Sequence, residues 1–203
     1  SNYKVLKFKS KNSKEVDDQI SIEEPLEIII KYKDKENWIE NTISITMRTP
    51  GDDEDLVRGF LFNERVIEKI NYIESIELTG DSVGQYKLKN KAVVTINNSE
   101  NIDIDKIKRN FLTNSSCGVC GKTSLDSLEI IKKDKILKSM PKIQHEIIMK
   151  SPDILRQNQS EFSKTGGIHA SGLFKFRGDI IAVKEDVGRH NALDKLIGFV
   201  LKK

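Results

Sequence analysis

The sequence has few of the features that mark secreted or membrane proteins. Its 203 residues include only two cysteines, and no apolar run approaches the 18 or so residues that cross a bilayer. Two thiols are too few for a secreted disulfide scaffold, which favours a reducing compartment. We therefore expect a cytoplasmic protein with no membrane partner.

An excess of charge of one sign is also lacking. The 34 basic and 31 acidic residues are spread along the chain and leave a net charge of +3. A nucleic-acid footprint should be a clustered basic stripe, so we expect no nucleic-acid partner. The 37% hydrophobic and 32% charged content is typical of a soluble globular protein.

The first half of the chain has the pattern of strands around one helix. Residues 24–33 and 41–48 are rich in β-branched side chains and predict a hairpin, and residues 73–80 and 85–97 predict further strands. Between the second and third of these strands, residues 49–67 predict a helix, because a Pro-Gly turn and an acidic first turn precede an apolar stripe.

The second half differs in composition, and we place a domain boundary near residue 110. Ser151 followed by Pro152 predicts the start of a helix, with Ser151 as its N-cap. Two strands, in "LFKF" and "IIAVKEDV", should flank a turn at 177–179. Residues 188–203 then show helical spacing of apolar side chains. The chain stops after this helix without a further strand, which favours a shortened chain.

Both cysteines lie in "TNSSCGVCGKTSLD", residues 113–126. A structural zinc site needs four ligands and usually a second cysteine pair, which is missing here. A zinc deaminase needs a proline before the first cysteine and an H-x-E element, and neither is present. A thioredoxin-like dithiol and a pair of inert loop cysteines also fit the pattern poorly.

Sulfur transfer suits this loop better. Such chemistry needs a thiolate that attacks a persulfide, and a backbone flexible enough to meet a donor and then an acceptor. Gly118 and Gly121 provide that freedom. Lys122 and a helix predicted to follow it would favour the thiolate. Cys117 and Cys120 are therefore candidate catalytic residues.

Two glycine-rich turns form a second candidate site. Arg189 and His190 begin the last helix, where main-chain N–H groups and a guanidinium suit a phosphate. His169 follows Gly166 and Gly167 on a turn that allows a close approach to a ligand. The alternatives are that Arg189 is an ordinary surface residue, that His190 caps the core, and that the glycine pair marks an ordinary turn. A strand hairpin joins the two turns, so both should lie at one end of a sheet.

Arg48 precedes the Pro-Gly turn of the first helix. Two interpretations fit this residue. It could bind an anion at the start of the helix, although an arginine in such a position is more often a solvated charge.

These residues resemble the formate dehydrogenase accessory sulfurtransferases, the FdhD/NarQ family. The resemblance rests on "EEPLEI" at 23–28, "TMRTPGDDEDLVRGFLF" at 46–62, "SSCGVCG" at 115–121, "FSKTGGIHASGLF" at 162–174 and "VKEDVGRHNALDKLIG" at 183–198. Five blocks in the right order are more specific than a CxxC pair alone.

The resemblance implies an α/β fold, in which a smaller α+β domain at 1–110 precedes a cytidine-deaminase-like mixed-sheet domain at 111–203 that carries the CxxC loop. It implies a homodimer, a truncated C-terminus, and a sulfurtransferase that uses a persulfide on Cys117 with Cys120 as its partner.

The resemblance also implies what the protein works with. Sulfur would come from a cysteine desulfurase and pass to the molybdenum bis(molybdopterin guanine dinucleotide) cofactor of formate dehydrogenase. That cofactor is bound as a substrate, and no protein-ligated metal is expected. A cofactor-binding chaperone without sulfur transfer, and a zinc-stabilised interaction module, remain alternatives.

Overall fold

The computed structural model describes residues 2–9, 12–83, 87–97 and 142–203. Within them lie an N-terminal hairpin, a four-stranded sheet, a second hairpin and four α-helices. The strands are β1 (Asn2–Lys9), β2 (Asn12–Gln19), β3 (Glu24–Asp34), β4 (Asn37–Arg48), β5 (Ile73–Val83), β6 (Leu88–Ile96), β7 (His169–Phe174) and β8 (Ile180–Asp186). The helices are α1 (Asp53–Asn63), α2 (His145–Gln157), α3 (Ser160–Thr165) and α4 (Arg189–Leu201).

The central sheet is mixed and has the strand order β4-β3-β6-β5. Strands β3 and β6 run parallel, and the two outer pairs are antiparallel. Alternate side chains of β3 and β6 face α1 and form one buried core with it. The core includes Leu26, Ile28, Ile30, Ile43, Leu56, Val57, Leu61, Ala92, Val94 and Ile96. The strands and the helix predicted for this half are confirmed.

Helix α4 connects the C-terminal hairpin β7–β8 to the central sheet by packing on α1. A Cβ atom at Gly59 would lie 1.9 Å from the main-chain oxygen of Asp194, and one at Gly198 would lie 1.8 Å from that of Asp55. Glycine is therefore required on both helices at the crossing. Gly59 lowers the helix propensity of α1, and this close contact explains why it is there.

The N-terminus of α2 differs from its prediction. The helix begins at His145, and both Ser151 and Pro152 lie inside it. Pro152 has no N–H to donate to the carbonyl of Ile148, but the Ser151 hydroxyl donates to that oxygen at 2.8 Å. The prediction of Ser151 as an N-cap was therefore wrong, because the helix begins six residues earlier. Ser151 instead supplies a hydrogen bond that the proline cannot make.

The α/β class is confirmed. The mixed sheet is built from residues 24–96, whereas the described part of the second half contributes the separate hairpin β7–β8. The boundary near residue 110 and the helix predicted to follow Lys122 lie outside the described residues. The likeness to cytidine deaminase and the truncation stay predictions. None of the helices within the described ranges is long and apolar enough to cross a membrane.

Candidate functional site

The structure describes one of the two candidate sites, the pair of glycine-rich turns, but not the cysteine loop. Cys117 and Cys120 lie outside the described residues. The residues of the two glycine-rich turns are all described, and they meet at one end of the hairpin β7–β8.

The register of this hairpin brings the two turns together. Its strands are antiparallel, and His169, the first residue of β7, lies opposite Asp186, the last residue of β8. The Gly166–Gly167 turn therefore enters the hairpin at the end where the chain leaves it for α4. This confirms the prediction that both turns lie at the same end. The side chains of His169, Arg189 and His190 are all exposed there.

The first turn ends α3 in a left-handed conformation. Gly166 has a φ of 72°, which side chains other than glycine rarely adopt. A Cβ atom at Gly166 or Gly167 would meet nothing within 4 Å, so the main chain borders open space. The Ser21 hydroxyl lies 2.9 Å from that of Thr165 and 3.5 Å from the Gly167 carbonyl oxygen, which ties this turn to the segment before β3.

The second turn leads into α4. Gly188 is the N-cap of the helix, and no side chain caps it. Arg189 and His190 occupy the first helical positions, where the helix dipole favours an anion. The guanidinium of Arg189 adds a positive charge at the same helix start.

Beneath the exposed residues lies a buried network centred on Asp186. Its carboxylate accepts hydrogen bonds from the Gly188 N–H at 2.9 Å, the Thr49 N–H at 3.0 Å and the Asn191 amide at 3.1 Å. The Lys195 ammonium lies 2.7 Å from the same carboxylate. The network fixes the turn that precedes Arg189 and joins it to the loop before α1.

Arg48 belongs to a second buried network. Its guanidinium is fully buried and forms two 3.0 Å hydrogen bonds to Asp53. It also donates to the Asn90 side chain at 3.3 Å and to the carbonyl of Glu24 at 3.2 Å. The interpretation of Arg48 as an anion ligand or a solvated charge was therefore wrong, because the arginine holds the start of α1 to the central sheet.

Two groups beside α1, Asp194 and Lys184, have pKa values that differ from their ordinary values. Burial raises the pKa of Asp194 to about 7, although a hydrogen bond from Asn63 acts in the opposite direction. The charges of Glu64 and Asp186 raise this pKa further. For Lys184, burial acts to lower the pKa, but the carboxylates of Asp52 and Asp55 outweigh it and raise the pKa. Neither group lies among the exposed residues of the two turns.

Sequence reasoning missed the residues that hold the two turns in place. Glu185, Asp186 and Lys195 lie within the block at 183–198, but no role is predicted for them from the sequence. The available signal was a pair of acids at the end of a strand, directly before a glycine turn. In the described part of the chain, no three histidine, cysteine, aspartate or glutamate side chains are grouped as a metal site.

A solved structure agrees with this architecture. The crystal structure of an assigned formate dehydrogenase accessory protein from Desulfotalea psychrophila superposes with a TM-score of 0.64 and covers 99% of this chain and 68% of that chain. The two sequences are 20% identical, so the similarity concerns the fold.

Relatives of known name are more similar in sequence. The chain is 42% identical over 194 residues to the sulfur carrier protein FdhD of Picrophilus torridus, a match that covers 95% of this chain and 68% of the relative. It is 37% identical over 200 residues to the protein of the same name from Sulfolobus acidocaldarius, covering 98% and 69%. Residues 21–203 match the family described as FdhD/NarQ. The chain therefore belongs to the FdhD/NarQ family.

Proposed function

We propose that this chain is a sulfur carrier in formate dehydrogenase maturation. It takes sulfur from a cysteine desulfurase as a persulfide on Cys117 and delivers it to the molybdenum bis(molybdopterin guanine dinucleotide) cofactor. The observation that carries the proposal is the family match over residues 21–203, which includes Cys117 and Cys120, together with relatives named as sulfur carriers. We propose a cytoplasmic homodimer as the working form.

The loading step is a thiol–persulfide exchange. The Cys117 thiolate attacks the outer sulfur of the desulfurase persulfide, the donor's S–S bond breaks, and the donor cysteine leaves as a thiolate. The persulfide proton stays with the transferred sulfur, so Cys117 then carries S–SH. A free cysteine is only a few per cent ionised at pH 7, and a cation such as Lys122 beside the thiol would raise that fraction.

Release uses the second cysteine. The Cys120 thiolate attacks the inner sulfur of the Cys117 persulfide, a Cys117–Cys120 disulfide forms, and hydrosulfide leaves for the acceptor. A cellular dithiol then reduces the disulfide and is itself oxidised, which restores both thiols. When bound, the cofactor's molybdenum supplies the position that receives the sulfur.

The end of the hairpin β7–β8 suits the nucleotide part of this substrate. A guanine dinucleotide cofactor carries diphosphates, which need cationic donors and main-chain N–H groups. Arg189 supplies a guanidinium, His169 and His190 supply imidazoles, and Gly166 and Gly167 leave open space for a close approach. The donor set therefore fits a diphosphate.

Transfer of labelled sulfur tests this function. The chain is loaded with a desulfurase and sulfur-labelled cysteine, separated from both, and mixed with inactive formate dehydrogenase that holds its cofactor. We expect label to move from the chain to the cofactor as the enzyme gains activity. An enzyme that gains activity from a chain that never carries label would contradict the sulfur-carrier proposal.

A further inference from the structure

Glu185 holds the start of α3, a helix that lies 24 residues earlier in the chain. Its two carboxylate oxygens accept hydrogen bonds from the N–H groups of Glu161 and Phe162, both at 2.9 Å. The Ser160 hydroxyl donates to one of the same oxygens at 3.2 Å. The N-cap residue of α3, Gln159, makes no side-chain capping bond of its own. The carboxylate thus satisfies main-chain donors that the local sequence leaves uncapped.

The position of α3 determines how the chain enters the candidate site. The helix is only six residues long and passes directly into Gly166 and Gly167, and His169 follows as the first residue of β7. Glu185 lies opposite Ala170 in the hairpin register, next to His169. Glu185 therefore holds both ends of the segment that presents His169, the start of α3 through its side chain and Ala170 through the pairing of β7 with β8.

The charge of Glu185 has the wrong sign for direct contact with an anion. A carboxylate beside a diphosphate would weaken binding by Coulomb repulsion. Here the carboxylate accepts hydrogen bonds from two N–H groups at the positive end of α3. It therefore serves to hold the helix and does not bind the anion itself. Its neighbour Asp186 holds the other turn in the same way, through the Gly188 N–H.

We propose that Glu185 is a positioning residue for the anion-binding end of the hairpin, acting through α3 and the glycine turn on His169. This inference rests on the proposed function, since it assumes that the two turns bind a diphosphate. Loss of the carboxylate releases α3, widens the range of positions of His169, and weakens diphosphate binding.

The sign of the change in affinity separates positioning from electrostatics. In Glu185→Gln, one oxygen still accepts an N–H, but the new amide nitrogen faces the other N–H. We expect calorimetry to show guanosine diphosphate binding about three- to tenfold more weakly than to the parent. A purely electrostatic role predicts tighter binding, because a negative charge has been removed.

Two further variants sharpen the comparison. Glu185→Asp keeps the charge but is one methylene too short to reach both N–H groups, so we expect weaker binding here too. Glu185→Asp also replaces Glu185→Gln as the test variant if Glu185→Gln does not fold. Glu161→Gln is the matched control, since it removes a carboxylate from the same helix and leaves the main-chain N–H in place. It should bind like the parent or slightly more tightly.

Coupling to His169 distinguishes positioning from general destabilisation. In a His169→Ala background, Glu185→Gln should change affinity little, whereas in an Arg189→Ala background it should retain its full effect. Equal effects in both backgrounds, or parent-like binding by both Glu185 variants, would overturn the positioning role alone. If the parent does not bind guanosine diphosphate, the proposed diphosphate site itself fails, and this inference fails with it.

Discussion

Asp186 and Lys195 form an ion pair with 2.7 Å between carboxylate and ammonium, and their side chains are 0% and 2% exposed. The same ammonium donates to the carbonyl oxygen of Thr49 at 2.7 Å. The pair therefore joins the end of β8, the body of α4 and the loop before α1. Removing one partner of a buried ion pair is strongly destabilising, because the other charge is left without a counter-ion. The pair therefore contributes both to the stability of the fold and to the geometry of the second turn.

Lys195→Met should lower the free energy of unfolding by about 3–5 kcal/mol, because it leaves the Asp186 carboxylate buried without a counter-ion. The double variant Asp186→Asn with Lys195→Met should cost less than the sum of the two single changes. Denaturant unfolding measures these values. The control is Lys91→Met, which removes a partly exposed pair with Glu27 and should cost less than about 1 kcal/mol. Additive costs in the double variant would mean that the two residues are not coupled.

Gly198→Ala should destabilise the protein by more than about 3 kcal/mol, since the added carbon would lie 1.8 Å from the main chain of Asp55 and α1 would have to move. Gly167→Ala adds the same carbon where nothing lies within 4 Å and should leave the melting temperature nearly unchanged. Similar melting temperatures for the two variants would show that α1 and α4 do not pack this closely.

Asp194 should make the protein less stable as the pH rises from about 4 to about 7. Its pKa is raised from 3.8 to about 7, so across this interval the unfolded chain loses the proton while the folded chain retains it. The penalty is complete above pH 7 and is on the order of 4 kcal/mol, because one pKa unit corresponds to about 1.4 kcal/mol. Asp194→Asn should remove this slope and be more stable than the parent at pH 8, because the new amide oxygen still accepts from Asn63. Parallel pH profiles for the two proteins would refute this assignment.

The order of strands and helices was predictable where local patterns agree with packing. β3, β4 and β6 have β-branched runs, and α1 has both a turn signal and an acidic first turn. The hairpin β1–β2 was not predicted. Its exposed side chains, among them Leu6 and Phe8, follow no clear alternation between a buried and a solvated face.

The buried face of α4 could not be predicted from its apolar spacing. Leu193 and Val200 belong to the predicted stripe yet are 45% and 43% exposed, whereas Asp194 and Lys195 are buried. The cause is tertiary: the glycine contact with α1 and the ion pair to Asp186 select a face on which these two charged residues are buried beside Ala192, Leu196 and Gly198. The contacts that join distant elements could not be predicted either, because Thr49 and Asp186 are 137 residues apart and Arg48 and Asn90 are 42 residues apart in the sequence.

Arg189→Ala should weaken guanosine diphosphate binding about tenfold to a hundredfold, since a charge-assisted contact to phosphate is worth about 1.5–3 kcal/mol. Arg189→Lys should recover only part of this loss, because the bidentate geometry is absent. Calorimetry measures both. Lys203→Ala, at the opposite end of α4, is the control and should bind like the parent. If Arg189→Ala binds as tightly as the parent, the phosphates are held elsewhere.

The most direct test of the sulfur-carrier account is mass spectrometry of the chain after incubation with a desulfurase and cysteine. We expect the parent to gain the mass of one sulfur atom, mapped to Cys117, because the persulfide forms there. Cys120→Ala should retain this adduct, and Cys117→Ala should lose it while remaining folded. An undiminished adduct on Cys120 in the Cys117→Ala variant would contradict Cys117 as the primary acceptor, and a parent that gains no sulfur would contradict the account as a whole.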